Sequence, residues 1–467
     1  MSASERVDER SPSQGGAGGD GRIPFATPIT VVFAAALLIY AGWAAFTGTG
    51  RFRAVRVGYG VDSAYYIMAA KAPVWSLKFL ATPNGAPFLF SLLAKLCLRN
   101  LRVIVLVQSA FAVWAWWFLA RTIAARLHRP AVRTLTFVAV LLLAASPPIV
   151  MWNVFVATES LSISLLCVAS ALWIRLTGGR PGDRDFTAFV VVLAALACTR
   201  DSYAVMLLVV AGIAIVVALA RRALRQRAAI VAAVCIVASV LNIAASNHGG
   251  RWFDPLDETI AIRLLGSHEA TQYFVDHGMP YDHYVRALHK PDAIVFRAHD
   301  VTYAPQFKRY RNWLLNKGRG TYTSYLLTHP VSDITGPFDD RRRLLRPEVR
   351  PYAHLYFVDL GGAGRVVGAI GMPSSQGLVE VWIGIAALGA AWLALKRRGD
   401  RALLIAAGLS TVLLVVHFLV AWHGDALELD RHIIAAAVEL RVVLLIVSAL
   451  LVDELLSVGK RPKAVAR

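Results

Sequence analysis

A few charged side chains stand out for their capacity to do chemistry. Asp62, in GYGVDSAYYIMAAK, sits among small and aromatic residues and is followed by the pair Tyr65 and Tyr66. Glu159, in VFVATESLSISLL, opens an apolar stretch, and Arg200 and Asp201, in ACTRDSYAVML, interrupt what would otherwise be continuous hydrocarbon. His423, Asp425, Glu428, Asp430, Arg431 and His432 crowd one short polar turn, and Arg441 lies two helical turns or so inside the apolar run that follows. Carboxylates of this kind can take up a proton or orient a hydroxyl, and guanidiniums can hold an anion through their forked donors.

Each residue also has a plainer reading. Asp62 could cap a helix or sit in a polar turn. Glu159, in Thr158-Glu159-Ser160, could start a helix with a favourable negative charge near its N-terminus. Arg200-Asp201 could be a tight interhelical turn closed by a local ion pair. Arg441 is harder to set aside, because a guanidinium that deep needs a partner, a water-filled cavity or snorkelling. His423 and His432 could be interfacial residues. His423-x-Asp425 with His432 could form a metal site, but the spacing is unspecific, so no metal ligand set and no cofactor is assigned and a divalent ion is left open.

The elements that must position these residues are membrane spans. Of 467 residues 57% are hydrophobic and 17% charged, and the mean hydropathy is +0.54, which excludes an ordinary soluble globule. At ~20 apolar residues per crossing, the chain can supply about ten transmembrane helices. Apolar runs lie near Ile29–Phe46, Leu101–Ala120, Leu135–Val150, Leu161–Leu176, Phe186–Cys198, Tyr203–Ala220, Ala228–Ala245, Gly377–Leu395, Leu403–Ala421 and Ile433–Val452. The formal charge of +19 fits basic cytoplasmic loops, and no basic soluble domain or RNA-binding motif speaks for nucleic acid. Basic clusters do fall in alternate connections: Arg121 to Arg133, Arg175 to Arg184, Arg221 to Arg227, Lys396 to Arg401, and the tail from Lys460. This places both termini in the cytoplasm and every residue named above on the extracytoplasmic side. The four cysteines show no CxxC pair and no disulfide framework.

The expected fold is therefore an all-α polytopic membrane protein. Residues 1–24 read as a disordered cytoplasmic tail, 25–245 as an N-terminal module of about seven helices with a first outer loop at 48–100, and 246–376 as an extracytoplasmic segment. Residues 377–456 form a C-terminal module of about three helices and 457–467 a basic tail. The outer segment is too long for a plain connection and is expected to be a small ordered domain, in which Tyr322–Leu327 could be helix or strand. Pro147-Pro148 should end the third span, Trp114, Trp116 and Trp117 should pack in or at the membrane, and Phe88–Leu98 should form a short amphipathic helix on the outer leaflet. Asp339–Arg343 reads as a solvated turn.

The order of these features resembles the GT-C superfamily of integral-membrane glycosyltransferases, of the mannosyltransferase and arabinosyltransferase kind. The matching pieces are Asp62 with Tyr65 and Tyr66, the proline-flanked ATPNGAPFLFSLLAKL, the TESLSISLL opening of the fourth span and the TRDSYAVMLL turn. Many members carry adjacent acids in the first loop, whereas here Asp62 is followed by Ser63. The resemblance implies transfer of a hexosyl or pentosyl group from a polyprenyl-phosphate sugar donor to a glycan, lipid or protein acceptor on the outer face of the cell membrane. It implies Asp62 as general base, Arg200 and Arg441 on the donor phosphate, and Glu159, Tyr65, Tyr66, Asp201, Asp425 and His432 around the substrates, with membrane lipids as further partners. Two other readings stay open: an oligosaccharide polymerase or ligase using polyprenyl diphosphate donors, and a transporter or flippase. Transport would call for ionisable residues spread through the bilayer depth or for broken helices at midplane.

Overall fold

A computed structural model describes residues 61–81, 87–178, 182–289, 301, 303–346, 361–424, 426 and 429–458. The expected first span Ile29–Phe46, the tail 1–24, the start of the first outer loop, Asp425 and most of the basic C-terminal tail lie outside these residues.

Among the described residues the chain is built of helices joined by turns, with no strand. Short helices come first, among them α1 (Val61–Ala69) and α2 (Phe88–Leu96), then α3 (Leu101–Ala124), α4 (Pro130–Ala144), α5 (Pro147–Val154), α6 (Thr158–Thr177), α7 (Asp183–Ala197), α8 (Asp201–Ala220) and α9 (Arg225–Gly249). The segment expected to lie outside the membrane contributes α10 (Phe253–Thr259), α11 (His268–Asp276), α12 (Lys308–Trp313), α13 (Arg319–Thr328), α14 (Pro330–Asp339) and α15 (Arg341–Leu345). The chain closes with α16 (Gly361–Gly371), α17 (Gln376–Leu395), α18 (Arg401–Gly424), α19 (Leu429–His432) and α20 (Ile434–Val458).

Among the described residues seven helical stretches are long and apolar enough to cross a membrane: Leu101–Ala124, Thr158–Thr177, Asp201–Ala220, Arg222–Gly249, Gly362–Leu395, Arg401–Gly424 and Ile434–Ser457. They coincide with seven of the ten apolar runs. Two runs differ from a simple span. The third is a pair, α4 and α5, bent by 52°, because Pro147 offers no N–H to the preceding turn and starts a new helix at its first position. The fifth is α7, only 15 residues long. The most enclosed spans are α20 and α6, with 78% and 72% of their apolar windows buried, whereas the Gly362–Leu395 stretch is 22% buried and lies at the periphery.

Local chemistry sets the helix ends. The Asn100 side chain accepts from the Arg102 and Val103 amides to start α3, and Asp400 accepts from Leu403 N at 3.0 Å to start α18. α9 ends on Gly250 at φ +71°, the left-handed conformation in which glycine carries no Cβ penalty. Where α16 crosses α4, a Cβ on Gly371 would lie 2.3 Å from the Leu142 carbonyl oxygen, so glycine is what permits that contact.

Ion pairs sort the helix ends into two sets. At one end Arg126 pairs with Asp400 at 2.5 Å, Arg175 with Asp185, Arg227 with Asp183 and Arg398 with Glu454. There too the Asp453 carboxylate accepts the His128 and Arg129 amides ahead of α4, each at 2.8 Å. At the other end lie the starts of α6, α8 and α20, the last residues of α18, and the outer segment.

That segment has its own core, in which Ile260, Phe274, Leu288, Tyr310, Trp313 and Leu314 are buried together. Tyr322–Leu327 is helical, within α13, and Asp339–Arg343 is a junction between α14 and α15. The Trp422 Nε1 donates to Asp340 at 3.1 Å, and the His423 Nε2 donates to the Asp333 carbonyl at 3.0 Å, so α14 rests on the end of α18. α16 lies inside the range expected for the outer segment, but it packs on α4 and belongs with the apolar bundle.

Candidate functional site

Glu159 falls in the first turn of α6, where the unpaired amides of a helix start favour negative charge. The turn is held from two sides. Gln108 of α3 donates to the carbonyls of Asn153 and Phe155, each at 2.7 Å, satisfying backbone groups that the break between α5 and α6 would leave unpaired. The Ser160 hydroxyl donates to Asn153 Oδ1 at 2.6 Å. As a result Thr158, Glu159 and Ser160 are all buried, and the Glu159 side chain is 0% exposed.

A carboxylate so deep requires compensating charge. It has two cations. Arg200 Nη1 lies 3.1 Å from Glu159 Oε1, and Arg431 Nε donates to the same oxygen. Arg200 stands at the N-cap of α8, a position where helix polarity disfavours a cation, and its partner on α6 offsets that cost. Arg431, on the short helix α19, also reaches Asp62 Oδ2 at 2.6 Å through Nη1. Asp62, Arg431, Glu159 and Arg200 thus form one chain of ion pairs, two acids and two bases, gathered where the N-termini of α6, α8 and α20 converge.

Within this chain only Asp62 is open to the surroundings, at 35% side-chain exposure against 5% for Arg431 and 9% for Arg200. α1 holds it in place: Ser63 Oγ donates to the Val156 carbonyl at 2.7 Å, and Lys95 Nζ on α2 caps the far end of α1 through the carbonyls of Ala70 and Ala72. α2 is the short helix expected at Phe88–Leu98, and its start is tied to the end of α7 by Leu89 N to the Cys198 carbonyl at 3.1 Å. Glu159 Oε2 is buried and accepts no hydrogen bond from the protein.

Tyr66 is buried beside the cluster with its ring 4.8 Å from Phe90, and burial and the nearby Asp62 charge push its phenol above the ordinary range. Tyr65 is half-buried on the same helix. His432 adjoins the cations. Burial, with Arg200 and Arg431 adding to it, holds its imidazole well below the usual range, which favours the neutral ring, able to donate one hydrogen bond and accept another without adding positive charge. Deeper in the bundle His417 of α18 lies 3.7 Å from Glu439 of α20, with the Tyr203 ring of α8 at 4.8 Å.

Other expected site residues take different places. Arg200 and Asp201 do not close a local pair. Asp201 faces α9, accepting from Asn242 Nδ2 at 2.8 Å and Ser246 Oγ at 2.6 Å and pairing with Arg251 at 2.9 Å, a clamp between α8 and α9. Arg441 is fully buried, but its donors go to backbone: Nη1 to the carbonyls of Leu344 and Ala437, and Nη2 to those of Leu345 and Pro373. It caps the end of α15 and the turn before α17, and the structure does not bring it to Asp62. His423 is occupied by Asp333 and by Tyr322, whose hydroxyl donates to the His423 carbonyl at 3.0 Å. Among the described residues no three His, Cys, Asp or Glu side chains gather as metal ligands. The four cysteines are free thiols.

The cation that joins the acids is Arg431, to which the sequence reading gave no role. A signal was there: it is the only guanidinium in the turn WHGDALELDRH, directly ahead of the last apolar run and at the same end of the apolar runs as Asp62 and Glu159. No protein-family model matches the sequence, and no curated protein matches it.

Proposed function

We propose that the chain is a membrane glycosyltransferase that moves a sugar from a polyprenyl-phosphate donor to an acceptor hydroxyl at the extracytoplasmic face. The observation that carries this reading is the pairing of a half-exposed acid, Asp62, with a buried Arg431–Glu159–Arg200 cluster at the convergence of three helix N-termini. An anion-binding set of this kind, reached beside an available carboxylate, matches what the reaction requires. The acceptor oxygen attacks the anomeric carbon, the bond from that carbon to the phosphate oxygen breaks, and the polyprenyl phosphate leaves with the electron pair and one more negative charge. Asp62 takes the acceptor's proton. Arg431 and Arg200 compensate the growing phosphate charge through forked donors. Glu159 Oε1 holds both guanidiniums in place.

The topology follows the same reading. The cluster end faces outward and the Arg126, Arg175, Arg227 and Arg398 end faces the cytoplasm, in keeping with basic inner loops. Ten spans result when Ile29–Phe46, the bent α4–α5 pair and α7 join the seven long helices. With the first outer loop, the outer segment supplies the acceptor side.

A second reading, transport, is favoured by one observation: His417, Glu439 and Arg441 sit well inside α18 and α20, away from the helix ends. One experiment separates the two. Purified protein is incubated in proteoliposomes with a panel of radiolabelled polyprenyl-phosphate sugars and soluble or lipid acceptors. Transfer predicts labelled product and free polyprenyl phosphate, both lost in Asp62→Asn. Label that changes side with its donor bond intact supports transport and overturns the transferase.

A further inference from the structure

We propose that α14 is an interfacial helix that seats the outer segment on the outer leaflet of a bilayer carrying anionic headgroups. Its residues after Pro330, with Asp340 just past its end, divide into three faces at helical spacing. Asp333, Gly336, Pro337 and Asp340 turn toward the protein: the Asp333 carbonyl and the Asp340 carboxylate accept from His423 and Trp422, and a Cβ on Gly336 would come within 2.9 Å of the Trp422 ring. Ser332, Thr335 and Asp339 form a polar, exposed face. Val331, Ile334 and Phe338, spaced i, i+3 and i+7, form an apolar one, exposed at 74%, 56% and 45%. Leu327, at the end of α13, extends it with 76% exposure.

Three observations favour a bilayer over a protein as the occupant. First, α14 rests on the last turn of α18, a stretch apolar enough to span a membrane, so the exposed stripe lies level with the end of a span and continues its apolar flank, where Val412 and Val415 are exposed. Second, the apolar face points away from the α18 contact, with the polar face between them, which is the division of a helix lying at the flank of a protein with water above and hydrocarbon to the side. Third, exposed Arg341, Arg342 and Arg346 follow directly, one of them 3.5 Å from Glu380 of α17, and place cations at the depth of lipid phosphates. The placement bears on the site as well, since Arg343 of α15 pairs at 3.2 Å with Asp430, the residue before Arg431. The α14–α15 unit therefore connects the bilayer surface to the helix that carries the central cation of the cluster.

The test uses full-length protein in nanodiscs of phosphatidylcholine and phosphatidylglycerol. Ile334→Cys and Ser332→Cys, or Val331→Cys and Asp339→Cys where either variant folds poorly, are labelled with an environment-sensitive fluorophore, and the parent's own thiol signal is subtracted. The apolar-face label is expected to be quenched at least about twofold more by acyl-chain spin-labelled lipid than the polar-face label, and to be shielded from aqueous dithionite. Equal dithionite access at both positions overturns the proposal. So does shielding of position 334 from both quenchers, which would mean that a second copy or another protein covers the stripe. The result does not depend on any enzymatic activity.

Discussion

Arg431 holds the Asp62 carboxylate at 2.6 Å with one arm of its guanidinium and the buried Glu159 with another. Two acids from separate helices, α1 and α6, thereby share one cation from a third, and Arg200 brings the second positive charge, against Glu159. Stability and chemistry meet in that arrangement, and they separate under substitution.

Arg431→Ala strands Glu159 with one cation and Asp62 with none. Removing one side of a buried ion pair costs about 3–5 kcal/mol, so the thermal unfolding temperature in detergent should fall sharply and transfer should cease. Combining Arg431→Met, Arg200→Met and Glu159→Met leaves no stranded buried charge. That variant should regain most of the lost stability and none of the activity, as read by unfolding curves and labelled-donor turnover.

Asp62→Asn keeps the shape of the side chain and removes its basicity. Turnover should drop by about 10²–10⁴-fold, the usual contribution of a positioned general base, while donor binding is kept or tightened, since the amide competes less for Arg431, and the unfolding temperature changes little, because Asp62 is the exposed member of the cluster. Unchanged turnover would remove Asp62 from the mechanism.

Arg441→Ala tests the alternative phosphate ligand. The carbonyls of Leu344, Leu345 and Pro373 would lose their donor, at about 1–3 kcal/mol for each buried group left unpaired. The unfolding temperature should fall while donor affinity, measured where the variant is folded, stays within about twofold, since the donors removed face backbone. Donor binding weakened tenfold at unchanged stability would return Arg441 to the phosphate.

How far the sequence reached is visible in these residues. Hydropathy located all seven long helices, because a run of apolar side chains is a local property. The bend between Ala144 and Pro147 was half legible: the proline pair marks an end, but nothing local sets the direction in which α5 departs. Asp62, Glu159 and Arg200 were legible as polar residues at one level, and the structure gathers them. Arg441 drew attention through its depth, yet its partners are carbonyls on α15 and ahead of α17, which have no signature in the letters. Arg431 was hidden by company, one ionisable residue among several in a polar turn. Its pairing across the chain is a tertiary fact.

The segment between α9 and α16 carries a pH response of its own. Burial pushes the Asp257 carboxyl up to about 7, with the Tyr310 hydroxyl pulling it back and the Asp254 charge adding to the rise. In the unfolded chain the group titrates near 3.8. Between these values the folded form holds a proton that the unfolded form has released, so stability is fully present below the unfolded pKa and declines as pH rises toward 7. Asp257→Asn should therefore slow proteolysis of this segment relative to wild type at pH 8 and bring little change at pH 4. An equal effect at both pH values would refute the assignment.

The self-neutralised cluster also bears on timing. With two carboxylates and two guanidiniums in balance, the empty site needs no counterion, and an incoming phosphate has to compete with the protein's own acids for the same arms. On the proposed reaction, that competition ends when Asp62 is protonated: its hold on Arg431 weakens at the moment the departing phosphate gains charge. On that reaction the guanidinium changes partner in step with the proton, and the strongest grip on the anion arrives with bond cleavage instead of before it.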